Sequence, residues 1–512
     1  MPETIGLLIL SAAGATTSVT GIGTAVATIE IAGATISAAS VVGTAALTAA
    51  AIGLQYALNN PNVPKPENGA QPLKQAIPPR IRGYWINRLS GYYMLFVAGG
   101  GDSQDMVAFH SGPIEEVLQV YLHDQNVTLV PAPTDGADCL VQAVGADVFL
   151  NCVRVQIFYG SDTQNSNGII NAGNTSGIWT TSFAGKGIAC LAMVCLRQAD
   201  PSTFTKRYPQ GLPVPSVVAK CAPIWDPRDP AQSRADRSTW QASPNPVLQL
   251  IDYLTEADGG MGLDLDEILP PDVLAKWMVE ASLCDGLYQS AGWYQFDNSP
   301  ENVINKILAT CDGWLADAGD GTLSLTVGVY REPTDPPITA DIIQGYSVKY
   351  GVADEESVNQ LDVSFTDPSL KYVSSQIDSV RDEVAISASG IVRAKQLDLS
   401  WVQDATQAER LGQRALLRTN PEMSGTLVTT LYGMRYLGRR WVKVQFPGVA
   451  GLEDCVVEIQ DRANIDVLNG RVTFSWQLID PAALIELQPP VSGGLKFSAA
   501  TNSQYLALLE DI

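Results

Sequence analysis

Charge is almost missing from the start of this chain. Between Met1 and Pro64 the charged side chains are Glu3 and Glu30 alone, and the rest is mainly Ala, Gly, Thr, Ser, Val, Ile and Leu. A soluble protein must bury so long an uncharged arm in a membrane, in a partner or in copies of itself. No Lys or Arg precedes the apolar run, and the run is too long, so a secretory signal is a poor fit. Histidine is nearly absent too: His110 and His123 are the only two, so a Ser-His-Asp or Cys-His centre would have to use one of them. The eight cysteines include no Cys-x-x-Cys pair, which argues against structural zinc or a cluster. They read instead as small buried hydrophobes, kept reduced in a cytosol. The chain also lacks a Gly-x-Ser-x-Gly elbow, a phosphate-cradling Gly-x-x-x-x-Gly-Lys loop and a His-Glu-x-x-His pair. Asp354-Glu355-Glu356 reads as a solvated loop rather than half of a glycosidase pair. The expectation is a non-enzyme, with no catalytic, cofactor-binding or metal-binding residues.

Basic residues are outnumbered as well. The net charge is −22, so a protein that grips a phosphate backbone is not expected. Such acidity suits solubility, and it equally suits a surface that must let DNA pass without sticking.

What is present in the arm divides at Glu30 into Thr4–Ile29 and Ile31–Pro64. Each stretch is long enough for a helix of about 20 residues, and a helical hairpin would place Glu30 near its turn. Gly14, Gly23, Gly33, Gly43 and Gly53 recur among small residues, which lets backbones approach closely. A packed helical bundle is the leading reading. A membrane anchor, or a β-rich or disordered arm, stays open because Thr, Val and Ile are poor helix formers. A Pro-rich linker, 61–80, follows.

Residues 81–239 read as a first β-rich domain. Gly91–Val97 and Asp105–His110 flank Gly99-Gly-Gly-Asp-Ser103, a hairpin signal. Val117–Leu122 and Val127–Val130 form a second hairpin with Asp124-Gln-Asn126 at its turn. Further strands are expected at Val148–Phe158 and Gly187–Leu196, around the Asn/Gly/Ser-rich loop 160–177, and a polar linker runs to Thr239. Residues 240–337 change character. Pro246 follows Asn245 ahead of apolar 247, 248, 250, 251 and 254, a helix start. A second helix spans Val273–Cys284, and a third is capped by Ser299 with Pro300 and Glu301 in its first turn. Strands Trp314–Asp317 and Leu323–Tyr330 return, giving a small α+β domain. Residues 338–485 are β-rich again: Asn359–Phe365 alternates, 405–417 is helical, and Trp441–Phe446, Asp454–Ile459 and Arg471–Leu478 read as consecutive barrel or sandwich strands. The fold class expected is therefore α+β and β-rich, multidomain, with barrel or sandwich domains, small helical insertions and an apolar N-terminal helical arm. A linker and tail, 486–512, complete the chain.

The run Ile224-Trp-Asp-Pro-Arg228, then Trp240, Asn245-Pro246, Asp252-Tyr-Leu254 and Gly260-Met-Gly-Leu263, resembles the central tail-tip proteins of long-tailed phages. So do Pro300-Glu-Asn-Val-Ile304, Asp312-Gly313, Gly321-Thr-Leu-Ser-Leu325, the strand at Asn359 and the closing helix-plus-barrel region. The resemblance covers roughly residues 80–485 and rests on the order of these phrases. It implies a homotrimeric hub, related to baseplate hubs, that closes the distal end of the tail tube. Two barrel domains per chain would then match a hexameric tube ring. Implied partners are the tail tube or distal tail protein, the tape-measure protein and a fibre or spike protein, with DNA passing transiently and unbound. The implied location is the virion tail tip, assembled in the bacterial cytoplasm. Residues 1–60 would plug the lumen or touch the host membrane at ejection.

One departure concerns the C-terminal side. Many proteins of this type continue into fibronectin-like modules, whereas here only Val491–Ile512 remain after the barrel region. Ser492-Gly-Gly494 reads as a linker and Tyr505–Leu509 as an apolar anchor, expected to dock a fibre or spike or else to pack on its own chain. Two other classes stay open: a membrane-anchored surface adhesin, and a glycan hydrolase built on a carboxylate pair.

Overall fold

The computed structural model describes residues 28–31, 34–37, 78–142, 148–172, 178–353, 357–460 and 463–488. Most of the arm, the linker to residue 77, Asp354-Glu355-Glu356 and the tail Val491–Ile512 lie outside the described residues. Where the arm is described it is strand, not helix: Thr28–Ile31 pairs antiparallel with Ala34–Ser37. Glu30 sits within a strand opposite Thr35 rather than at a turn. The β-branched Thr and Ile of both segments favour the extended backbone.

Nine strands form the first sheet, in the order Ile86–Leu89, Pro215–Lys220, Glu116–Leu122, Gln125–Val130, Asp138–Gln142, Val153–Tyr159, Ile188–Cys195, Asp102–Ser111 and Tyr92–Gly99. The sheet curls into a half-barrel. Both expected hairpins are there, and positive φ angles fix their turns. Gly100 and Gly101 join Gly99 to Asp102 at φ of 64° and 96°. His123 and Asp124 join Leu122 to Gln125 at 48° and 61°. Two central residues with φ above zero match the right-handed twist of a two-residue hairpin. The second turn therefore lies one residue earlier than Asp124–Asn126. The strand expected from Val148 begins at Val153, because Phe149 and Asn151 hold left-handed backbone in a turn before it. Ile188–Cys195 is the sheet's most buried strand, apolar on both faces, which is why it reads as a continuous run. The loop expected at 160–177 contains a short helix, Gly168–Ala172.

The central module packs helices Pro246–Thr255, Pro271–Cys284 and Pro300–Thr310 against the hairpin of Trp314–Asp317 and Leu323–Thr326. Asn245 Oδ1 accepts from the Val247 and Leu248 amides, and Ser299 Oγ accepts from Asn302, satisfying donors that have no intrahelical partner. Trp277 fills the core and donates from Nε1 to the Leu323 carbonyl at 2.8 Å, tying helix to hairpin. The segment expected to be a polar linker is pinned: Arg228 reaches Asp226 and Asp285, and Arg237 reaches Glu256.

Helix Ala405–Thr419 and the parallel pair Gln360–Asp367 and Ala394–Leu399 belong to this central core. Leu361, Val363, Leu397, Leu411 and Ala415 pack with Leu308 and Leu315 in one apolar cluster. The core thus runs across the boundary expected at residue 337. A seven-stranded sheet closes the fold. Its order is Ile338–Thr339, Trp441–Gln445, Cys455–Ile459, Arg471–Leu478, Met423–Thr430 and Ile343–Tyr350, with Asn464–Asp466 on the Arg471 strand. The three strands expected between 441 and 478 are therefore consecutive neighbours, over a core of Leu427, Val444, Val457, Phe474 and Trp476. Among the described residues no helix is long and apolar enough to cross a membrane.

Candidate assembly interface

The two histidines and the cysteines lie in these surroundings. His110 is buried, with Nδ1 at 3.1 Å from the Gly112 carbonyl and Nε2 at 3.4 Å from that of Gly83. Burial, reinforced by the Arg82 cation, pushes its pKa down to about 4, so it is neutral at pH 7. His123 forms the hairpin turn and lies 6.1 Å from the Phe149 ring. Seven cysteines are buried thiols and Cys455 is half-buried. Burial raises Cys190 to about 12, which removes its nucleophilicity. Among the described residues no group of His, Cys, Asp or Glu is placed to hold a metal ion.

Two buried ionic junctions bolt the parts together. In the first, Arg82 leaves the strand Ile81–Tyr84 and pairs with Asp252 at 2.8 Å, on helix Pro246–Thr255; Tyr84 donates to the same carboxylate at 2.8 Å. Glu256 is shared by Arg82 at 3.6 Å and Arg237 at 2.9 Å. Burial would raise the Glu256 pKa, but the two guanidinium groups outweigh it and hold it below the usual carboxylate range.

The second junction is larger. Asp312, just past helix Pro300–Thr310, receives Arg414 Nε at 2.8 Å, Arg418 Nη2 at 2.9 Å and Arg440 Nη2 at 3.0 Å. Glu458 receives Arg418 Nε at 2.9 Å and Arg440 Nε at 2.7 Å, and Gln477 at 3.1 Å. Burial opposes ionisation of both acids, yet Arg418 and Arg440, with Arg414 at Asp312, hold Asp312 well below the usual carboxylate range and Glu458 below it. Arg414 and Arg418 lie four apart on one helix face, while Glu458 lies in a strand of the seven-stranded sheet and Arg440 just ahead of another. The junction therefore fixes that sheet to the central module. A buried network of this kind specifies geometry more than it adds stability.

The outer surface is unfinished. Strand Ile343–Tyr350 is an edge of the seven-stranded sheet, with Tyr346 and Tyr350 exposed. Helix Glu383–Ser389 buries no side chain, and Val384 is 81% exposed, near exposed Ile391 and Val392. Leu431, Tyr432 and Met434 stand out on a 3-10 turn, and Val467 and Leu468 on a hairpin tip. Scattered apolar residues on a surface need no explanation, but an unpaired strand edge is a pairing template and clustered aromatic and aliphatic groups mark contact surfaces.

Residues 299–423, from the capped helix to the start of strand Met423–Thr430, match the family described as "Putative phage tail protein". No curated protein matches the chain. A chain from the virion of a native gene transfer agent particle is similar at 12% identity, over 87% of this chain and 94% of that one, with a TM-score of 0.51. The 43 kDa tail protein of prophage MuSo2 from Shewanella oneidensis is 12% identical, over 79% and 98% of the two chains, with a TM-score of 0.28. The tail protein from Neisseria meningitidis MC58 is 11% identical, over 80% and 99%, with a TM-score of 0.29. The first shares this fold; the other two superpose too loosely to add to it. The family match, with the shared fold, supports a structural protein of phage-type tails.

Proposed function

We propose that this chain is the hub of a tail tip. Three copies would close the distal end of the tail tube, anchor fibre or spike proteins and open for passage of DNA into the host. The observation that carries the reading is that one helical module holds two curled sheets: the seven-stranded one through the buried Asp312–Glu458 junction, and the nine-stranded one through Asn87 donating to the Gly292 carbonyl and Gln403 donating to that of Ile86. Rigid pairing of two barrel-like units is what a three-fold ring needs to meet a six-fold tube. The net charge of −22 supports a lumen that repels the DNA backbone instead of retaining it. The reading gives the chain no catalytic role. Its direct test is the mass and symmetry of the purified full-length protein: three-fold rings support it, and a stable monomer at all concentrations refutes it.

A further inference from the structure

At one end of the seven-stranded sheet a cleft of about 1120 Å3 opens between helix Ala405–Thr419, helix Pro481–Glu486 and the strand ends at Cys455 and Leu478. Leu416, Leu417, Val456 and Leu484 give it apolar walls. Its border is acidic: seven carboxylates, Glu383, Glu422 and Glu486 among them, face only Arg381, Arg418 and Lys443. Arg418 is already committed to Asp312 and Glu458. Helix Glu383–Ser389, whose N-terminal residue borders the cleft, buries nothing. A helix of seven residues is marginal in water without tertiary packing, so this flank is built to be covered.

At the other end of the same strands stands a knob. Strand register brings Thr430 opposite Arg471, and Arg471 opposite Asp466. The turn after Thr430 and the hairpin tip after Asp466 are therefore neighbours, and together they raise Leu431, Tyr432, Met434, Val467 and Leu468 into solvent. Tyr432 is 72% exposed and Leu468 75%. Arg435 is exposed beside them and, among the described residues, makes no ion pair. Aromatic, Met and Arg side chains are the residues enriched where interfaces bury their centres.

Strands Met423–Thr430 and Arg471–Leu478 span from cleft to knob. Eight residues at about 3.3 Å each put the two roughly 25 Å apart, so a chain cannot fill its own cleft. We propose that the knob at Leu431–Arg435 and Val467–Leu468 of one copy seats in the cleft of the next, with Arg435 set against the Glu422 and Glu486 border. Such a contact is heterologous, head to tail, and it closes into a ring when the rotation between copies permits. Charge complementarity at Arg435 also supplies the local attraction that copies of −22 otherwise lack. Ring closure at three copies rests on the hub reading; the residue pairing does not.

The test uses the full-length chain. A thiol introduced by Tyr432→Cys would lie in the neighbour's cleft, where half-buried Cys455 is a native partner. A short bismaleimide should then link position 432 of one copy to Cys455 of another, giving a ladder to the trimer that Cys455→Ser removes. Arg435→Glu should weaken self-association about tenfold or more, the scale of a lost interfacial charge pair, and Glu422→Arg in the same chain should restore it. A trimer that forms normally in Arg435→Glu and gives no 432–455 link overturns this contact while leaving the hub standing. A chain that never associates overturns both.

Discussion

Arg440 holds Asp312 at two points: its Nη2 donates to the carboxylate at 3.0 Å and its Nη1 donates to the Asp312 backbone carbonyl at 2.6 Å. Arg440 immediately precedes the strand Trp441–Gln445 of the seven-stranded sheet, and Asp312 follows helix Pro300–Thr310 of the central module. The pair therefore ties them together, with both side chains buried.

Asp312→Asn should be among the most damaging isosteric changes in the chain. It leaves Arg414 with no carboxylate and Arg418 and Arg440 with Glu458 alone, a loss of about 3–5 kcal/mol by the usual cost of breaking a buried pair from one side. Denaturant unfolding measures it. A loss no larger than that of a surface Asp→Asn change would show that the junction carries no weight.

The same junction predicts a pH window. Asp312 and Glu458 have folded pKa values below their unfolded ones. Their contribution is complete above the unfolded carboxylate range, about 4, and is lost as pH falls below it toward the folded values. Stability should therefore fall more steeply below pH 4 in the native chain than in an Asp312→Asn, Glu458→Gln double variant. Equal slopes would contradict this.

His110 acts in a higher window. Its folded pKa is about 4 against about 6.5 unfolded, so the fold favours the neutral ring. The stability it contributes is present above about pH 6.5 and is lost as pH falls to 4. With two histidines in the chain, NMR titration can follow its ring directly. A midpoint near 4 is expected, and one near 6.5 would contradict the buried neutral state.

Gly292 has no room for a side chain. A Cβ there would meet the Trp401 ring at 2.0–2.3 Å, in the strand that pairs Gly292 with Tyr84. Gly292→Ala should cost about 1–3 kcal/mol through overpacking, seen as a lower Tm, and Trp401→Leu in the same chain should recover part of the loss.

Surface variants should separate assembly from folding. Tyr350→Ser and Val384→Ser change exposed side chains, so each should leave unfolding free energy within about 0.5 kcal/mol while reducing the oligomeric fraction in sedimentation velocity. Unchanged association in both would remove this face from the interface.

Local signals were legible in the sequence, and long-range ones were not. Asn245-Pro246 and Ser299-Pro300 announce helices because a cap and its first turn lie within four residues. Gly99–Ser103 announces a hairpin for the same reason. The second hairpin turn slipped by one because His123 and Asp124 adopt left-handed backbone without a glycine to mark it. Nothing local in the sequence marks Arg414, Arg418 and Arg440 as a buried cluster. Their burial depends on Asp312 and Glu458 arriving from elsewhere, although the spacing of Arg414 and Arg418 beside Leu411 and Ala415 held a hint. The knob and the cleft were invisible in the sequence, since exposure of Tyr432 or Leu417 is set by which strands lie beside them. The helical arm fails where it is described, because Thr28–Ile31 and Ala34–Ser37 pair as strands.

The hub reading rests most directly on the assembled particle, and electron microscopy of the purified full-length chain with symmetry analysis tests it. The account predicts a three-fold ring around a central passage, with neighbouring seven-stranded sheets in head-to-tail contact. Monomers, or copies arranged without a closed axis, would contradict it.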